Sequence, residues 1–262
     1  NPQLQLHIIS IDNSSRVQVK WDADQFEYLV TAGWQKGHQP LITVMNRRQD
    51  HQQVLSVDAS SGATTIEFES HDDCWVEWID GLPMWNATGE LVVHLDDLSA
   101  NTRRAAIVRN GVAQPFTPVG LQIGSVIGST DDGIIVAATP DSPFMQAHSI
   151  SWTGDATALA STDDDGWHST VVSSDGSVLV VSSSSLRDTT TTWRIIRNGE
   201  SIGTLANLAA GPELANPPVR PRAELIHVGD LDLRTIVIFP TGHVRGSKRL
   251  PLIMSPYGGP HA

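Results

Sequence analysis

Gly166-Trp167-His168-Ser169-Thr170-Val171-Val172, followed by Ser174-Asp175-Gly176 and then Ser177-Val178-Leu179-Val180-Val181, decides the fold class. Two runs rich in β-branched residues flank a polar Asp-Gly turn, and neither run carries a 3.6-residue period. The next run, Trp193-Arg194-Ile195-Ile196, closes on Asn198-Gly199. Asn-Gly is a strong hairpin signal, because both turn positions need positive φ. The stretch therefore spells an inner strand, a tight turn, a second strand, and then a strand that ends in a hairpin.

Working outward, the same unit returns. Val54-Leu55-Ser56-Val57-Asp58 carries Ser61-Gly62 before Thr64-Thr65-Ile66; Ala106-Ile107-Val108 carries Asn110-Gly111; Ile150-Ser151-Trp152 carries Gly154-Asp155. The turn glycines 62, 111, 154 and 199 recur at roughly 45 residues, the period of a four-stranded propeller blade. Trp34 and Trp75 are expected to begin strands comparable to the one at Trp167. Blades are expected over about 27–70, 71–117, 118–162 and 163–208, with 1–26 as the outer part of an earlier blade. A β-sandwich also has short strands but would not repeat at this period. The expected class is all-β: propeller blades over 1–208 and a short β tail. Between them, 209–222 holds Pro212, Pro217, Pro218 and Pro221, a linker composition. Residues 223–262 carry three further runs, Ala223–Val228, Leu233–Pro240 and Leu250–Met254, read as the first strands of a different domain.

Composition narrows the function. The chain has 262 residues, 40% of them hydrophobic and 18% charged, enough to bury a core. Its formal charge of -12, from 17 basic and 29 acidic residues, argues against a nucleic-acid partner, which needs a basic face, and against an anionic membrane surface. The acidity reads as a solubility feature. The single cysteine, Cys74, allows no internal disulfide and reads as a buried strand start. No apolar run approaches the roughly 20 residues of a membrane span, and Asn1-Pro2-Gln3-Leu4 has no signal-peptide character. A cytoplasmic setting is the favoured expectation.

Several motif matches dissolve in context. Gly199-Glu200-Ser201-Ile202-Gly203 fits the G-x-S-x-G nucleophile elbow, but Gly199 closes an Asn-Gly hairpin and Thr204-Leu205 continues a strand, where an elbow needs a helix. The histidines are scattered, with no HExxH pair, so neither a metal nor a cofactor is expected. Asp163-Asp164-Asp165-Gly166 lacks the alternating spacing and closing Glu of a calcium loop. Asn13-Ser14-Ser15 and Asn86-Ala87-Thr88 match glycosylation sequons. Asn46-Arg47-Arg48-Gln49-Asp50, between two strands, reads as an exposed rim or as a turn that pins its blade, the second being favoured.

Read together, these segments resemble the dipeptidyl peptidase IV family of serine exopeptidases, in the prolyl oligopeptidase clan. Asn1-Pro2 before Leu4–Ile9 is similar to its N-P-x-x-x-L-x-V segment. Tyr28-Leu29, Trp34 and Asn46-Arg47 with Gln49 are similar to its Y-[IL]…W…L-N-R-x-Q-N stretch. Trp75-Val76 matches its W-V pair, and Gly166-Trp167-His168-Ser169 with Asp175-Gly176 its G-W-H-S…D-G. Pro251-Leu252 with Tyr257-Gly258-Gly259-Pro260-His261 is similar to its Y-P-V…V-Y-G-G-P-H. The segments span nearly the whole chain, which departs from the usual pattern at Met45-Asn46 and around Pro83.

The resemblance implies an eight-bladed propeller over an α/β-hydrolase domain, and release of N-terminal dipeptides after Pro or Ala. It places the serine, aspartate and histidine of the hydrolase beyond residue 262 and the acidic pair that grips the substrate's amino group before residue 1. The chain by itself is therefore expected to be inactive. Tyr257 takes the position of the tyrosine whose hydroxyl stabilises the oxyanion, the one expected catalytic residue here. Trp78, Ile79 and Asp80, just after the W-V pair, fall near the extended substrate pocket of relatives, although Glu77-Trp78-Ile79-Asp80 is not the usual residue set. Expected partners are a peptide substrate, the remaining propeller and hydrolase segments, and further copies of the chain, since open strand edges pair with other chains. Two other readings stay open: an acylaminoacyl or oligopeptidase of the same clan, and a propeller that binds partners without chemistry.

Overall fold

The computed structural model describes residues 4–139, 145–159, 166–185, 191–206, 222–230 and 232–255, and every regular element among them is a β-strand. A short hairpin, β1 (His7–Ile9) and β2 (Arg16–Gln18), comes first. Four four-stranded antiparallel sheets follow in chain order. The first holds β3 (Tyr28–Gly33), β4 (Leu41–Met45), β5 (His51–Val57) and β6 (Thr64–His71). The second holds β7 (Met84–Trp85), β8 (Leu91–Asp97), β9 (Thr102–Arg109) and β10 (Val112–Pro115). The third holds β11 (Ile123–Thr130), β12 (Gly133–Ala138), β13 (Gln146–Ser151) and β14 (Ala156–Ala158). The fourth holds β15 (Gly166–Val172), β16 (Val178–Ser185), β17 (Thr192–Arg197) and β18 (Glu200–Leu205). In each sheet the strands pair strictly with their sequence neighbours, the up-and-down meander of a propeller blade.

The repeat read from the sequence has a structural cause. Gly62, Gly111, Gly154 and Gly199 all sit in the turn between the third and fourth strands of their sheets, each at positive φ. Asn110 and Asn198 share that region with the glycines after them, as two-residue hairpins require. The G-x-S-x-G match falls on this hairpin, and Ser201 lies within β18, where a nucleophile elbow would need a turn into a helix.

Successive sheets pack face to face through apolar residues that alternate along each strand. Leu41 and Val54 of the first sheet meet Leu91, Val93 and Ala106 of the second. Val92, Ala105 and Ile107, on the opposite face of the second, meet Ile123, Ile134, Val136 and Ile150 of the third. Ile135 of the third meets Leu179, Val181 and Ile196 of the fourth. The initial hairpin closes the other end, with Val19, Leu6 and Ile8 against Ile42, Val44, Leu55 and Val57. Central strands such as β4 are buried throughout because both faces carry a neighbour, so their sequences read as unbroken apolar runs. Beyond the fourth sheet, β19 (Arg222–Val228) and β20 (Leu233–Phe239) form a separate antiparallel hairpin.

Three local expectations are corrected. Trp34 follows β3 instead of starting it. Trp75 and Cys74 begin no strand, and both are exposed in the connection from β6 to β7. The Asp72 carboxylate accepts the N–H groups of Cys74 and Trp75 at 2.7 and 2.8 Å, an Asx-type turn that competes with strand pairing. Leu250–Met254 is not a third strand either: it is exposed and joins no sheet, and Pro251 offers no N–H to a ladder.

Candidate functional site

The connection from β6 to β7 runs from the β4–β5 turn of the first sheet to β11 of the third, and it carries the candidate substrate residues. It is fixed at three points. The Asp72 N–H donates to the Asp50 carbonyl at 3.0 Å, and the Val76 N–H donates to the Gln49 carbonyl at 2.8 Å. The Val126 N–H of β11 donates to the Asp80 carbonyl at 2.7 Å, where Asp80 and Ser125 form a parallel bridge. The segment is thus a strap from the first sheet to the third.

Asn46 holds the turn that anchors this strap. Its side-chain carbonyl accepts the N–H groups of Asp50 and His51, and its amide donates to the Asp50 carboxylate at 2.6 Å. Arg48 pairs with Asp50 at 2.9 Å, and Gln49 takes a positive φ that turns its carbonyl towards Val76. The Asn46–Asp50 stretch is a pinning turn.

The three candidate residues part ways. Ile79 is fully buried in the core between the second and third sheets. Trp78 is 41% exposed. The Asp80 carboxylate accepts the Gly81 N–H, and its carbonyl serves β11. Trp78 and Asp80 thus stand exposed, while Ile79 between them is packed in the core. Tyr257 lies outside the described residues.

Charge gathers beside the strap, a feature that sequence reading missed. Arg103 of β9 reaches Glu77 at 3.6 Å and pairs across the sheet with Asp96 of β8. Burial raises the Asp96 carboxyl above the usual range; Arg103 opposes this, and Glu77 and Asp72 reinforce it. Burial, then the charge of Arg103, pushes His94 down to about 4. The signal lay in β8, where His94 and Asp96 alternate onto the face of Val92, but only the strand register shows which face that is.

A recess was equally hidden. A cleft of about 290 Å³ lies where the β3–β4 connection, β7 and β11 meet, lined by Trp34, Pro83, Met84, Trp85 and Val126–Ser129. Both indoles are pinned: Trp34 Nε1 donates to the His38 carbonyl and Trp85 Nε1 to the Gln39 carbonyl. The Gln35 side chain accepts the Trp85 N–H at 2.6 Å and donates to the Trp85 carbonyl at 3.0 Å, acting as a rung of an absent strand. Among the described residues, no group of three or more His, Cys, Asp or Glu side chains is placed to hold a metal ion.

The comparisons decide the family. The profile of the dipeptidyl peptidase IV (DPP IV) N-terminal region matches residues 1–190. The chain belongs to this family. Solved structures share the fold at low identity. Dipeptidyl peptidase 4 of Porphyromonas gingivalis superposes with a TM-score of 0.70 at 16% identity, over 89% of this chain and 34% of its own. A protein described as a dipeptidyl aminopeptidase IV of Bacteroides ovatus gives 0.67 at 13% identity, over 88% of this chain and 36% of its own. The chain thus spans about a third of the length of these structures. No curated protein matches it significantly. Within a DPP IV N-terminal region, the four meanders are propeller blades and the strap is the connection between the first two complete ones.

Proposed function

We propose that this chain is the propeller portion of a serine exopeptidase that releases N-terminal dipeptides from peptides, preferentially after Pro or Ala. The observation that carries the reading is the family match over residues 1–190, on a chain whose strands form blades throughout that span. In this reading the propeller limits which peptides enter and forms one wall of the substrate pocket. Trp78 and Asp80 lie on that wall, held by the strap's bonds to Gln49 and Val126. Tyr257 donates a hydrogen bond to the oxyanion of the tetrahedral intermediate, a preorganised contact that acts where charge develops.

Two measurements test this. The 262-residue chain alone is expected to leave a chromogenic Gly-Pro or Ala-Pro amide unhydrolysed, and the full-length gene product to hydrolyse it and to lose that activity to a serine-directed reagent. A full-length product that ignores dipeptide amides but cleaves N-acetylated ones would overturn the dipeptidase assignment. In the full-length enzyme, Tyr257→Phe is expected to lower kcat by about 10²–10³. Trp78→Ala is expected to raise KM with little change in kcat, the pattern of a residue that binds substrate and transition state alike.

A further inference from the structure

Gln52 of β5 is 1% exposed, and its side-chain carbonyl has no hydrogen-bond partner among the described residues. Buried polar atoms are nearly always satisfied, by protein or by ordered water. This one lies where it cannot reach bulk solvent, on the face of the first blade that the second blade covers. Its alternate neighbour Val54 is in the core between those blades.

The surroundings fit a water. Gln52 lines a small cavity with Thr31, Thr43 and Val54 on one side and Trp78, Leu82, Pro83, Val93 and His94 on the other. It leaves about 10 Å³ for the centre of a water-sized molecule, room for one water and for nothing larger. Thr31 donates to the Thr43 hydroxyl at 3.0 Å, which leaves the Thr43 proton to give to another acceptor. The edge of β8 adds backbone polarity. The β7–β8 ladder stops at Met84 and Val92, and Pro83, next in register, brings no N–H. Val93 and His94 therefore have β9 on one side and no β7 partner on the other.

We propose that a single buried water occupies this cavity, donating to Gln52 Oε1 and accepting from the Thr43 hydroxyl. Both partners belong to the first blade, and the water lies beneath the strap, where Trp78 lines the same cavity. The water thus fills the space under the residue that the proposed function places on the substrate wall, and supports it by packing. The water itself does not depend on that reading.

A crystal structure of the chain, at a resolution that shows ordered solvent, tests the proposal directly. The expected result is a density peak within hydrogen-bond distance of both Gln52 Oε1 and Thr43 Oγ1; a dry cavity overturns it. Thermal unfolding gives an independent reading. Gln52→Met keeps the volume and removes the acceptor. If the water is present, Tm falls, because the water loses a partner, and it falls less when Thr43→Val has already removed the other. If the cavity is dry, Gln52→Met raises Tm by removing an unsatisfied acceptor, and the two substitutions add. Should Gln52→Met fail to fold, Thr43→Val alone, followed by loss or retention of the density peak, decides the point.

Discussion

Gly62 shows how tightly single positions are set. It lies at φ +71, and a Cβ built there would stand 1.9 Å from the Gln18 carbonyl oxygen. The close approach exists because its own carbonyl accepts the Lys20 N–H at 2.8 Å, and Thr64 Oγ1 donates to the Lys20 carbonyl beside it. Gly62→Ala would combine a left-handed backbone with a clash against backbone, so a loss of about 2 kcal/mol or more is expected in urea unfolding. Gly111→Ala is the control: its φ is also positive, but nothing lies within 4 Å of its Cβ, so only about 1 kcal/mol is at stake. Equal losses would show that the Gln18 contact carries no cost. His94 supplies the pH dependence. Its pKa of about 4 in the fold returns to about 6.5 in the unfolded chain. Between those values the unfolded state holds a proton that the folded state lacks, so stability present above pH 6.5 is lost as pH falls towards 4. The full effect is on the order of 3 kcal/mol. Asp96 acts with the opposite sign, because its raised carboxyl keeps a proton in the fold that the unfolded chain has given up. Urea midpoints measured from pH 4 to 7 should rise with pH, and His94→Gln should flatten the rise; an unchanged slope in the variant would remove His94 as its source.

At the scale of the element, the blades were legible because their punctuation is local. A two-residue Asn-Gly hairpin needs positive φ wherever the chain runs, so Asn110-Gly111 and Asn198-Gly199 announced the third-to-fourth turns without tertiary knowledge. Strands whose inner residues are set by contacts distant in sequence were not legible. β7 is two residues long, and its outer edge is completed by Gln35, fifty positions earlier in the chain. The strap around Trp75 looked like a strand because Trp and Val favour one, yet Asp72 diverts its N–H groups. The candidate site shared this fate: Trp78 and Asp80 were found through a family resemblance, and Arg103 and Glu77 only through the register that brings them together. Gln35 yields a direct test of the borrowed rung. Gln35→Ala removes both bonds to Trp85 and is expected to cost about 1–3 kcal/mol. It should also shift tryptophan emission, as the indole of Trp85 loses its fixed place beside Gln39. A stable variant with unchanged emission would mean that the β7 edge needs no partner.

The described blades form a stack, and the outward face of the fourth carries several apolar residues. In the fourth blade, Val172, Leu179, Val181 and Ile196 turn towards the third. Alternation sends the residues between them the other way: Val171, 65% exposed, and Trp167, 50% exposed, stand with Val180 and Ile195 on the outward face. In a propeller ring the next blade covers such a face. Among the described residues no further blade covers it, and a hydrophobic sheet surface of this kind pairs with other chains. We therefore expect concentration-dependent association through the fourth blade, with the net charge of -12 opposing non-specific aggregation. Val171→Lys should suppress it, because a charge in the middle of the face cannot be buried unpaired. Its fold should survive, since Val171 is solvent-facing and forms no part of the inter-blade core. Light scattering across a hundredfold range of concentration makes the comparison. A monodisperse monomer throughout would show that this face is tolerated in water, and equal association by both proteins would move the contact to the edge of β1 at the opposite end of the stack.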